Sequence, residues 1–141
     1  MKITGGDVDA FVAKVTPAAR RRDAEALLAL MREVSGREPE LWGTIIGFGS
    51  CHYRYPTGTE GDSPIIAFAP RKQASTLYLL DGIQAHGERL AELGPHSTGV
   101  GCLYLSDVAA VDPTVLREIV AASHAFVTGG GGDYAQLTVT A

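Results

Sequence analysis

Residues 45–55 read IIGFGSCHYRY, a run of β-branched and aromatic residues broken by two glycines. A strand places successive side chains on opposite faces. Strict alternation would put Gly47, Gly49, Cys51, Tyr53 and Tyr55 on one side, and Ile46, Phe48, Ser50, His52 and Arg54 on the other. Glycines inside a strand mark a bulge or a close backbone approach. The turn-rich PTGTEGDS at 56–63 follows, and then the apolar run 65–69 and the run 75–80. Connections this short join antiparallel neighbours, because a parallel crossover needs a dozen or more residues.

Upstream the periodicity is helical. Asp7 is a side-chain cap for a first helix through Val8, Phe11, Val12 and Val15. Thr16-Pro17 predicts a second start, with Thr16 as the cap. From there to about Val34 the apolar stripe is Ala24, Leu27, Leu28, Leu30, Met31 and Val34. Arg20, Arg21, Glu25, Arg32 and Glu33 are assigned to its wet side, Gly36 to its stop, and residues 38–41 to a connector. Downstream, Asp81-Gly82 ends a strand, 84–93 predicts a short helix closed by Gly94, and 95–101 a loop. A strand follows over 102–105, and Asp112-Pro113 caps a last helix with Leu116, Ile119, Val120 and Ser123 inward. Gly129–Gly132 reads as a flexible hinge. The alternating 134–139 beyond it is either disordered, the favoured reading, or an added edge strand.

The expected architecture is therefore α+β, in the order α-α-β-β-β-α-β-α. An antiparallel sheet of about four strands carries helices mainly on one face. The chain divides into one domain over 1–128 and a glycine-hinged tail over 129–141.

With 141 residues the chain suits one domain, and 45% apolar against 20% charged residues suits a packed core. A net charge of -4 excludes the basic field of a nucleic-acid binder. Two cysteines make no disulfide framework, and no apolar run approaches membrane-spanning length. Cytoplasmic location is the expectation.

No metal or nucleophile motif occurs, so no catalytic residue is assigned. The loop 95–101 holds His96, Ser97 and Thr98 beside glycines, which can offer hydroxyls and amides to an anion. Arg71 and Lys72, in the turn 70–74, supply charge if the two turns adjoin, and Tyr53 and Tyr78 are sheet tyrosines suited to a ligand surface. An enzyme or sensor for a small anionic ligand is one function class that follows. A homodimeric interaction domain, joined through the free sheet face or the tail, is another.

Several segments together resemble the YdhG-like family of bacterial proteins. They are RRRDAEALLALM at 20–31, ELWG at 40–43, IGFGS and HYRY within 46–55, APRK at 69–72, LYL at 77–79, LG at 93–94 and CLY at 102–104. The resemblance spans about residues 7–125 and implies an α+β fold with a central antiparallel sheet. One branch of that family is described as a frataxin-like iron chaperone. The resemblance thus implies a small binding or chaperone-type protein, iron as the candidate cofactor, and acidic residues of the early helices as ligands. Here those are Asp7, Asp9, Asp23 and Glu25.

Overall fold

The computed structural model describes residues 1–133 and 135–141. Four helices, α1 (Val8–Ala13), α2 (Ala18–Ser35), α3 (Gly87–Leu93) and α4 (Pro113–Thr128), pack with ten short strands. The strands are β1 (Pro39–Trp42), β2 (Ile45–Phe48), β3 (Cys51–Arg54), β4 (Glu60–Ser63), β5 (Ile66–Pro70), β6 (Ser75–Tyr78), β7 (Ser97–Thr98), β8 (Cys102–Leu105), β9 (Gly131–Gly132) and β10 (Ala135–Val139). They form two antiparallel sheets, one ordered β1-β2-β5-β6-β8-β7 and one ordered β4-β3-β10-β9. The α+β class holds, but the single sheet of about four strands becomes two sheets.

A corner inside the decisive segment causes that division. Phe48 lies opposite Ile66 and Cys51 opposite Ser63, so neither chain gains a residue between them. One long hairpin therefore crosses both sheets and bends at Gly49-Ser50 and Pro64-Ile65. Gly49 has φ +72°, a left-handed conformation that favours glycine. A Cβ there would lie 2.7 Å from both Arg37 Cδ and Ile65 Cδ1. The expected uninterrupted alternation fails at this point. Ile46 and Phe48 are buried before the corner and Cys51 after it, so the buried set passes from even to odd positions.

Other boundaries move for equally local reasons. Residues 39–42 are a strand rather than a connector, because Gly43 at φ +69° lets the chain turn straight back into β2. The second half of the 56–63 loop is β4, and the turn itself closes with Tyr55 N–H donating to the Thr59 carbonyl. Pro17, not Thr16, is the residue before α2, and no side chain caps that helix. Asp7 does cap α1, accepting from the Ala10 amide, and Asp112 caps α4, accepting from Thr114 and Val115.

The C-terminal segment is neither disordered nor an edge. β10 is an inner strand, with Val139 opposite Cys51 on one side and Gln136 opposite Gly131 on the other. Tyr134, included in the expected strand, lies outside the described residues. The assumed hinge supplies β9. Leu137 joins the core, and Arg37 donates to the Ala141 carbonyl at 3.0 Å while its Nη1 lies 3.2 Å from His124 Nε2 on α4. Burial, aided by the Arg37 charge, holds the His124 imidazole below its usual pKa, which suits it to accept from that guanidinium.

Arg20, expected on the wet side of α2, is 5% exposed. Its Nη1 donates to Asp23 Oδ2 at 3.3 Å and to the Ser106 carbonyl at 3.1 Å. Asp23, 1% exposed, also accepts from Arg22 and from the Val108 amide. This network ties α2 to the segment after β8.

On the exposed face of the second sheet, His52 is bridged by two carboxylates. Its Nδ1 is 2.9 Å from Asp62 Oδ1 and its Nε2 2.8 Å from Glu60 Oε1. Those hydrogen bonds, Asp62 first, raise the imidazole pKa above its ordinary value. The charged form thus gains more in the folded state than in the unfolded one. The resulting stabilisation is complete below about pH 6.5, the usual histidine value, and is lost as pH rises through the folded-state pKa. His52→Gln should accordingly lower the urea midpoint more at pH 5.5 than at pH 8.5, and an equal effect at both would contradict the bridge.

Candidate functional site

The two faces of the six-stranded sheet differ. Ile46, Phe48, Ile66, Phe68, Leu77, Leu103 and Leu105 are buried in the core that the helices share. On the opposite face, strand register lines up Gly47, Ala67, Tyr78 and Cys102 in one row across four strands. Two of these four have little or no side chain, so the row is a floor rather than a ridge. The Trp42 indole lies across Gly47, where a Cβ would come within 2.6 Å of its Nε1.

Over this floor runs a cleft of about 830 Å³. Ile45, Ala67, Tyr78 and Cys102 line its base, the segments 79–84 and 99–101 form one wall, Ser63 and Pro64 come from the corner, and Tyr55, Phe126 of α4 and Ala135 of β10 complete the lining. The wall is stitched together by the main chain. Leu79 N–H donates to the Gly101 carbonyl, Gly82 N–H to the Leu79 carbonyl, and Ile83 N–H to the Val100 carbonyl. Gly82 makes this turn at φ +80°, and Val100 stands 97% exposed on the same wall.

Asp81 is the only Asp, Glu, Lys or Arg side chain among the described lining residues. Its side chain is 5% exposed, with Oδ2 2.8 Å from Nε2 of the fully buried His86. The contact is close but lacks hydrogen-bond alignment, and Asp81 Oδ1 and both His86 ring nitrogens have no hydrogen-bond partner. Such buried atoms cost about 1–3 kcal/mol each when left unpaired; Arg20 Nε, Trp42 Nε1, Ser75 Oγ and Ser123 Oγ are in the same position elsewhere among the described residues. On the floor, Cys102 lies opposite Tyr78 and two residues from Tyr104, whose phenol pKa it raises. Cys51, the other thiol, is buried and pushed up to about 11, which removes it from nucleophilic chemistry.

The residues singled out from sequence meet this cleft unevenly. Tyr78 belongs to its floor, and Arg71 steadies it, donating to Tyr78 Oη at 3.3 Å and to Thr44 Oγ1 at 2.8 Å. Lys72 is exposed in the same turn. Ser97 and Thr98 are exposed on the edge strand β7, and His96 bonds the Gly94 carbonyl through Nδ1 at 2.7 Å. The turn 70–74 joins β5 to β6, and β8 lies between β6 and β7, so two strand spacings, about 10 Å, separate this turn from β7, while Arg71 reaches the other way, to Thr44. Tyr53 lies in the second sheet, packed over Gly61 and beside Tyr55 with ring centroids 5.4 Å apart.

The acidic residues are dispersed. Asp7 caps α1, Asp9 and Glu25 are exposed on separate helices, and Asp23 is consumed by its arginines. No group of three potential metal ligands occurs among the described residues. Nor is any helix there long and apolar enough to cross a membrane.

Sequence reasoning missed Asp81, His86 and Cys102. Asp81-Gly82 reads as a strand terminator, and nothing local connects it to a histidine five residues on. Comparison of the chain with protein-family models, with curated proteins and with solved structures finds no match, which leaves the chemistry of the cleft as the guide to function.

Proposed function

We propose that the protein binds a small organic molecule with an apolar body in the cleft over the Gly47–Cys102 row of its larger sheet, and holds it rather than transforming it. The cleft of about 830 Å³ carries this reading. Ligand sites are typically ~300–1,000 Å³, mostly apolar, with a few placed polar groups. Ile45, Ala67, Leu80, Val100 and the ring of Tyr78 supply the apolar part, and Asp81, Gln84 and the Tyr78 hydroxyl the polar part. A binding role is also what the resemblance to the YdhG-like family suggests, with an organic ligand in place of a metal ion. Arg71 serves the site by holding Tyr78 rather than by meeting an anion.

The test uses N-phenyl-1-naphthylamine, a neutral apolar fluorophore. Its emission should rise saturably with one equivalent bound. Cys102→Trp, which fills the floor from a half-buried position, should weaken binding on the order of ten-fold, the scale of a lost apolar contact surface. Circular dichroism verifies that the variant is folded. Absence of saturable binding, or binding indifferent to Cys102→Trp, would refute the proposal.

A further inference from the structure

We propose that Asp81 is the polar anchor of the cleft and that the ligand it selects is an organic amine, its ammonium N–H donating to the Asp81 carboxylate. The inference rests on the binding function proposed above and names its ligand class. Three observations converge on it. Asp81 is the one formally charged side chain among the described lining residues, so the site is negative where it is polar. Its carboxylate is almost wholly buried, yet Oδ1 has no partner. A buried carboxylate oxygen without a donor is an acceptor waiting for one, and a charged donor makes the stronger bond.

The surroundings fix the geometry of recognition. His86 lies 2.8 Å from Oδ2, so it occupies one oxygen of the carboxylate, while Oδ1, shielded from solvent, is left without a donor. His86 is a positioning residue: it is buried and absent from the lining. Gly82, at φ +80°, turns the chain immediately after Asp81, and the bond from Ile83 N–H to the Val100 carbonyl ties that turn to the 99–101 segment. The rest of the ligand, extending from its amine across Ala67 and Tyr78, would be apolar or aromatic, and the Tyr78 face can also attract the cation.

Calorimetry on the full chain compares 2-phenylethylamine with 2-phenylethanol, which differs only in the head group. The amine should bind the wild type on the order of ten-fold more tightly, the advantage of a charge-assisted over a neutral hydrogen bond. Asp81→Asn, close in shape, should erase most of that preference. On the wild type alone, the Asp81 carboxyl carbon resonance should move with added amine and stay put with added alcohol. Equal binding of both compounds, or an amine complex that leaves that resonance unmoved, overturns the Asp81 assignment and leaves the cleft as a general apolar site. Should neither compound bind and N-phenyl-1-naphthylamine also fail, the binding function itself falls.

Discussion

Asp23→Ala is expected to destabilise the protein by about 3–5 kcal/mol, the cost of breaking a buried ion pair from one side. Arg20 would remain buried with its main counter-charge gone, and the Val108 amide would lose its acceptor. Arg22, more than half exposed, can turn to water and to Asp107, so its share of the loss is small. The mechanism makes a second demand. Replacing both partners together, as in Arg20→Met with Asp23→Leu, should recover much of the loss, because the buried charge is then removed rather than orphaned. Urea denaturation of the two variants checks this. A loss under about 1 kcal/mol for Asp23→Ala would mean that the network is far wetter than its 1% and 5% exposures indicate.

Deletion of residues 135–141 should be comparably damaging. β10 occupies an inner position, so its removal strips the ladder from β3 and leaves β9 without a partner. The core loses Leu137, a side chain whose burial is worth about 1.5–3 kcal/mol. Arg37 loses its bond to the last carbonyl, and Ser50 loses the amides of Thr140 and Ala141. Together these should cost about 3–5 kcal/mol and lower the melting temperature by about 10 °C or more in a domain of this size. The exposed edge of β3 would also invite pairing between molecules. A truncated chain that melts like the full one would show that the last strand adds nothing to the fold. Calorimetric melting with light scattering reads both effects.

These two cases also show where sequence stops being legible. Helix starts were readable at Asp7 and Asp112 because a cap satisfies amides two or three residues away. The strand over 102–105 was readable from its own composition. The role of Asp23 was not, since an arginine three residues before it and an amide eighty-five residues beyond it decide whether it is a surface carboxylate or a buried one. The last strand escaped for a similar reason: Cys51, its partner opposite Val139, is distant in sequence, and a glycine run ahead of it has the composition of a linker. At Gly49 the sequence did signal a break, but the shift of burial from Phe48 to Cys51 needs the second chain of the hairpin to bend as well.

The candidate site was legible at Tyr78 and in the 99–101 end of the loop 95–101. The cleft exists because Gly47 and Ala67 stand next to Tyr78 and Cys102 in one row, and a row across strands is a property of register. Arg71 was a reasonable choice for the wrong reason: its guanidinium is spent on Thr44 and Tyr78. The pair Asp81 and His86 depends on a tight turn folding a loop carboxylate back onto a buried ring, which no spacing rule encodes.

The cleft over the Gly47–Cys102 row as a ligand surface is tested most directly by mapping bound N-phenyl-1-naphthylamine through amide chemical shifts of the full chain. The largest changes should fall at Ala67, Tyr78, Val100 and Cys102, with α2 and the His52 face of the second sheet unaffected. Shifts concentrated on the helices or on that second sheet, with the Ala67–Cys102 row silent, would contradict it.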